Sequence, residues 1–217
     1  FDILMSKQAQ ISPVMRELSA YIASVLRRPL PPAVVEKTKH HILDTIAAMV
    51  SGSRLAPGKK AIGYVKTLGG VKEACVIGSN IITSAGNAAL ANGMLAHADE
   101  TDDSHAPSLT HPGCGIVPAA LAMAERERRN GAVFLRAVAL GYDVCCRFLL
   151  ALGPDLVRAS HRSAEGTSST LGAVAAAASL ARLDETGMRY ALSYAAQQVS
   201  GVWSWVRDAE HVEKAFD

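Results

Sequence analysis

Apolar residues return every three or four positions along almost the whole chain, the pattern of helices that each bury one face. Ser12-Pro13 has the form of an N-cap followed by Pro at the first helical position, and Val14, Leu18, Tyr21, Ile22, Val25 and Leu26 then share a face. Pro31-Pro32 opens a second helix, with Val35, Thr38, Ile42, Ile46 and Val50 along one side and Gly52 as its expected C-cap. The stretch from Pro57 to Leu68 predicts a short helix ended by Gly69-Gly70, and Ala74 to Gly78 is read as a brief extended piece. Thr83-Ser84 caps a helix from Ala85 to about His97. Pro112 begins another, expected to run to Arg129 and close at Asn130-Gly131. Ala132 to Leu152 is apolar and helical up to Gly153-Pro154. A Ser-rich stretch, Ser160 to Ser169, precedes an Ala-rich helix expected from Thr170 to Arg182, and Asp184 caps a helix from about Glu185 to Gln198. The tail, Ser200 to Asp217, carries Trp203 and Trp205 and ends without a terminating signal. The pattern predicts one all-α, multi-helix domain over residues 1–217, expected to be a piece of a longer protein.

Composition sharpens this. Hydrophobic residues make up 49% of the chain but aromatics only 5%, so the core is built from small side chains that let helices approach closely. The 22 basic and 20 acidic residues leave a net charge of +2, which gives no electrostatic footprint for nucleic acid or a membrane surface. No window holds the ~18 uninterrupted apolar residues that suggest a membrane span. Phe1 to Ile11 shows no secretory signal pattern. Cys75, Cys114, Cys145 and Cys146 lack any CxxC spacing and read as buried free thiols in a reducing compartment, so a cytoplasmic protein is expected.

Three polar islands can carry chemistry. The segment from His97 to His111 packs Asp99, Glu100, Asp102, Asp103 and three histidines between two apolar helices. It reads as a solvated capping loop, as a metal site, or as an acid–base site. The metal reading has no HExxH, and no EF-hand Gly and Glu at the required positions. The acid–base reading rests on His111-Pro112-Gly113, where a helix starts: its free N–H groups and dipole would favour a substrate carboxylate, and a histidine there can exchange a proton with the substrate. The second island, Ser160 to Ser169, also precedes a helix and contains His161 and Arg162. The third, Arg207 to Lys214, is a charged stretch; Arg162, Arg207 and Lys214 can clamp a polycarboxylate if the fold gathers them. GxGxxG, Walker A, GxSxG and iron–sulfur patterns are missing, so no nucleotide or metal cofactor is indicated. A non-catalytic helical dimerisation scaffold accounts equally well for composition alone.

In Asn87-Ala-Ala-Leu-Ala-Asn-Gly-Met-Leu-Ala-His-Ala-Asp-Glu-Thr-Asp-Asp-Ser, the chain resembles the MmgE/PrpD family, with its Asn-Gly helix, His and Asp-x-Asp-Asp-Thr motif. Thr110-His111-Pro112-Gly113 is similar to that family's His-Pro-Gly turn, Thr170-Leu-Gly-Ala-Val to its Ala-rich helix, and Val212-Glu-Lys-Ala-Phe to its Lys segment. The resemblance implies a helical domain whose partner α+β lid is absent from this chain, a homodimer, and no cofactor. It implies proton transfer on a small di- or tricarboxylate, as in 2-methylcitrate dehydratase, cis-aconitate decarboxylase and iminodisuccinate epimerase, with a dehydratase-like lyase placed first. Carried over by position, Asp103 matches the motif's last acid, His111 and His161 the two active-site histidines, and Lys214 the lysine. Glu100 stands where many members have Asp, which lengthens the side chain by about one bond, and Ser104 stands where they have Thr, which keeps the hydroxyl. Catalytic roles are thus expected of His111, His161, Lys214 and Asp103, and substrate contacts of Glu100, Ser104, Arg162 and Arg207, with no metal.

Overall fold

The computed structural model describes residues 11–217; the reading of the first ten residues lies outside it. Ten α-helices form among the described residues: α1 Pro13–Val25, α2 Pro32–Gly52, α3 Ala56–Leu68, α4 Ala85–Ala96, α5 Pro112–Arg126, α6 Gly131–Leu152, α7 Pro154–Ala159, α8 Ala164–Leu180, α9 Glu185–Gln198 and α10 Val212–Phe216. The predicted caps Ser12, Ser84 and Asp184 each accept a backbone N–H of the first turn of the helix they precede, and Asn130, expected to close the preceding helix, caps α6 in the same way. Between α3 and α4, β1 (Ala74–Cys75) and β2 (Ile82–Thr83) pair antiparallel, Ala74 opposite Thr83. No helix among the described residues is long and apolar enough to cross a membrane.

Helix α8 lies at the centre, packed on α5 and α6, and α4 packs between α5 and the α2–α3 pair. Small residues make these crossings close: Ala88, Ala91, Ala120, Ala175 and Ala176 have no exposed surface. A Cβ on Gly172 would lie 2.6 Å from the Gly141 carbonyl oxygen, and one on Gly115 would lie 2.7 Å from Ser169 Cβ. Gly52 serves the same purpose. It is the last residue of α2 rather than its cap, and a Cβ there would fall 1.9 Å from the Leu95 carbonyl.

Two further boundaries differ from the sequence expectation. Helix α8 begins at Ala164, not Thr170, because Ser163 caps it and the Ser168 and Thr170 hydroxyls bond back to the carbonyls of Ala164 and Gly166 instead of breaking the helix. Helix α5 stops at Arg126, since Arg128 takes a left-handed φ of 50° that ends the run before Asn130. Helices α7 and α10 were not foreseen. The buried face of α2 is also rotated: Thr38, Thr45, Ala48 and Met49 turn inward, while Val50 stays 46% exposed.

Candidate active site

The loop between α4 and α5 folds its carboxylates inward. His97, the residue after α4, is buried, and its Nδ1 lies 2.6 Å from Asp102 Oδ2. Asp103 is a hub. Its Oδ1 accepts the Gly113 N–H at 2.9 Å, while Oδ2 accepts the Tyr142 hydroxyl at 2.9 Å and meets His41 Nδ1 at 2.7 Å. Burial alone would raise the Asp103 carboxyl, but the hydrogen bonds from His41, Tyr142 and Gly113 outweigh it and hold it below the ordinary value. The Tyr142 hydroxyl moves the other way, pushed up by burial and by the Asp103 charge.

Asp103 also positions His111 through its backbone. Its carbonyl oxygen lies 2.9 Å from His111 Nδ1. A carbonyl only accepts, so Nδ1 carries the proton and Nε2 is left as the nitrogen free to exchange one. The His111 and His97 rings sit 5.5 Å apart. Asp102 Oδ1, buried and without a hydrogen bond, lies 3.5 Å from His111 Nδ1.

His97 and His111 border a cavity of about 300 Å³, also walled by Ser104, His105, Thr110, Arg158, Arg162, Glu165, Trp203, Trp205 and Lys214. That is at the lower end of small-molecule pockets, about 300–1,000 Å³. Lys214, delivered by α10, is only 2% exposed; its Nζ donates to the Asp99 carbonyl at 3.2 Å and pairs with Glu100 at 3.2 Å. The Arg158 guanidinium lies over the Trp203 ring, 4.6 Å from its centroid. Thr110 Oγ1 and Trp205 Nε1, on two of the lining residues, are buried without partners. Three permanent cations, three imidazoles and one acid in this wall suit a ligand carrying several carboxylates.

Of the expected residues, the fold brings His111, Lys214, Ser104 and Arg162 to this cavity. Asp103 stands behind the wall and orients His111, and Glu100 is an exposed partner of Lys214. His161 is exposed, with a left-handed φ of 57°, and borders a separate surface depression shared with Arg207, so neither reaches the cavity. The helix-start anion site of the acid–base reading is already filled from within. The Gly113 N–H goes to Asp103 and the His111 N–H to Glu165 Oε1, at 3.1 Å. His97, Asp102, Arg158, Glu165 and the tryptophan pair were not singled out from sequence, although His97 and Asp102 belong to the quoted motif. His97, Asp102 and Cys114 can each place one ligand atom within 4.8 Å of the others. Their hydrogen bonds (His97 to Asp102, the Cys114 thiol to the His111 carbonyl) and the strongly raised thiol, held up first by burial, favour hydrogen-bonded packing over a metal centre.

The fold and cavity thus define a multi-helix domain that presents imidazoles, a buried lysine and arginines to one small, carboxylate-compatible cavity. The chain belongs to the MmgE/PrpD family: residues 16–216 match the MmgE/PrpD N-terminal domain. It is 27% identical over 197 residues to a cis-aconitate decarboxylase-like protein, oryM, of Aspergillus oryzae (strain ATCC 42149 / RIB 40), covering 87% of this chain and 41% of that protein. It is 26% identical over 199 residues to the cis-aconitate decarboxylase of Aspergillus terreus, covering 89% of this chain and 40% of that protein. The chain therefore spans about two fifths of the length of these relatives.

Proposed function

We propose that this chain is the site-bearing helical part of a cofactor-independent lyase that moves a proton at the carbon next to a carboxylate of a small di- or tricarboxylate. The observation that carries the reading is His111. Its tautomer is set by the Asp103 carbonyl, and it faces a cavity that also holds Lys214, Arg158 and Arg162. The cations hold substrate carboxylates and stabilise the enolate-like charge that develops when a C–H or C–C bond breaks, and His111 supplies or removes the proton. A dimerisation scaffold has no use for a buried lysine and unpartnered polar atoms around one cavity.

Between dehydration of a 2-methylcitrate-type acid and decarboxylation of a cis-aconitate-type acid, the names of the Aspergillus relatives favour the second. The test supplies 2-methylcitrate, cis-aconitate and iminodisuccinate to the full-length protein in heavy water, with proton NMR and carbon dioxide release as readouts. Decarboxylation with one solvent deuterium incorporated is expected, unaffected by EDTA. Water elimination would return the assignment to a dehydratase, and deuterium entry without net conversion to an epimerase. No reaction with any of the three acids would overturn the reading.

A further inference from the structure

Helix α8 sends a carboxylate, not an imidazole, into the cavity. Ser163 caps the helix and Glu165 sits in its first turn, 7% exposed. Glu165 Oε1 accepts the His111 N–H at 3.1 Å, and Oε2 lies 3.3 Å from the Ser163 hydroxyl, whose single proton it shares with the Asp217 carboxylate. Glu165 borders the main cavity and a second one of about 240 Å³ beyond it, and His97 also lines both.

Two features mark this carboxylate as more than a helix cap. A carboxyl group offers about four hydrogen-bonding positions, and from the protein only the His111 N–H and the shared Ser163 hydroxyl reach Glu165. Among the described residues no Lys, Arg or His nitrogen lies within ion-pair distance of it, although Arg158, Arg162 and Lys214 line the same cavity. Burying an acid with no cationic partner is costly in its charged form, so such a group in a cleft is a mark of use. Its hydrogen bond to the His111 backbone also fixes its spacing from the His111 ring.

We infer that Glu165 is a second proton-transfer residue of the site, acting with His111 in the position that the histidine-containing loop was expected to supply. This rests on the proton-transfer reading above. One proton passes between the Glu165 carboxyl oxygen and the substrate carbon next to a carboxylate. When the C–H bond breaks, its electron pair stays on the substrate and an O–H bond forms on Glu165. When departing carbon dioxide leaves the pair behind, the O–H bond breaks, the C–H bond forms, and solvent water restores the carboxyl proton.

The test compares Glu165→Gln, Glu165→Ala and His161→Ala in the full-length protein, on whichever acid the wild type converts. Gln keeps the acceptor for the His111 N–H, so the fold is retained. We expect kcat to fall at least about a hundredfold in Glu165→Gln with KM within about threefold. Sodium formate should restore at least about tenfold to Glu165→Ala, and His161→Ala should stay within about twofold of wild type. A Gln variant that keeps its kcat, a loss confined to KM, or a failure of formate to rescue would overturn the assignment. An inactive wild type would overturn the proposed function as well, whereas an active wild type with an active Gln variant overturns this inference alone.

Discussion

Replacing Asp103 by Ala removes the acceptor for the Gly113 N–H, the Tyr142 hydroxyl and His41 Nδ1, all within 3 Å of its carboxylate. Hydrogen bonds to a charged group contribute about 1.5–3 kcal/mol each, but they are not additive, and truncation also relieves the cost of burying the carboxylate. The more direct guide is loss of one partner from a buried charged cluster, about 3–5 kcal/mol. In a chain of this size each kcal/mol moves the melting point by about 2–4 °C, so a drop of roughly 10 °C is expected in circular-dichroism melts. Asp103→Asn keeps an acceptor for Gly113 but not for both Tyr142 and His41, and should lose about half as much. The sign with pH follows from the lowered carboxyl. Its contribution is present above the ordinary aspartate value of 3.8 and is lost as pH falls through the lower folded value. The gap between wild type and Asp103→Asn should therefore narrow on acidification from about pH 6 to 3. An Ala variant melting within about 2 °C of wild type, or a gap that stays constant over that range, would refute the hub.

Two further outcomes test the helices and the imidazole. His111→Asn places one of the best N-cap residues at the start of α5, so melting should hold within about 2 °C while turnover falls at least about a hundredfold; retained turnover removes His111 from the chemistry. Gly172→Ala forces a Cβ to within 2.6 Å of the Gly141 carbonyl, where backbone must yield, and should cost about 1–3 kcal/mol in chemical denaturation, a neutral result showing that α6 and α8 separate freely.

The long helices were legible because each carries its cap and an apolar stripe long enough to set the period. Helices α7 and α10, of 6 and 5 residues, are shorter than the window in which a period can be read. The start of α8 was hidden because Ser and Thr read as loop formers, and nothing in their spacing shows that their hydroxyls will bond back along the helix. For the site, local motif sufficed for His111 and Lys214, which the fold carries to one cavity. Direction was not legible. His161, at a left-handed turn, lies outside the cavity, whereas Glu165, which reads as an ordinary acid in a first turn, lines it. The Asp103 hub was equally hidden, since His41 and Tyr142 come from α2 and α6 and only the tertiary fold places them on one carboxylate.

The low aromatic content bears on chemistry as well as on packing. His111 stands at the start of α5 and Glu165 in the first turn of α8, so their separation is set by how closely those two helices cross. Gly115 makes that approach possible, because any side chain there would collide with Ser169 on α8, and Gly141 and Gly172 bring α6 against α8 next to Ile116 of α5. A core of larger residues would hold the helix axes farther apart, and the 3.1 Å bond between the His111 N–H and Glu165 would open. The two groups proposed to transfer protons would then lose their shared frame before either was mutated. The small-residue pattern, first a packing preference, is then also what sets the distance between His111 and Glu165.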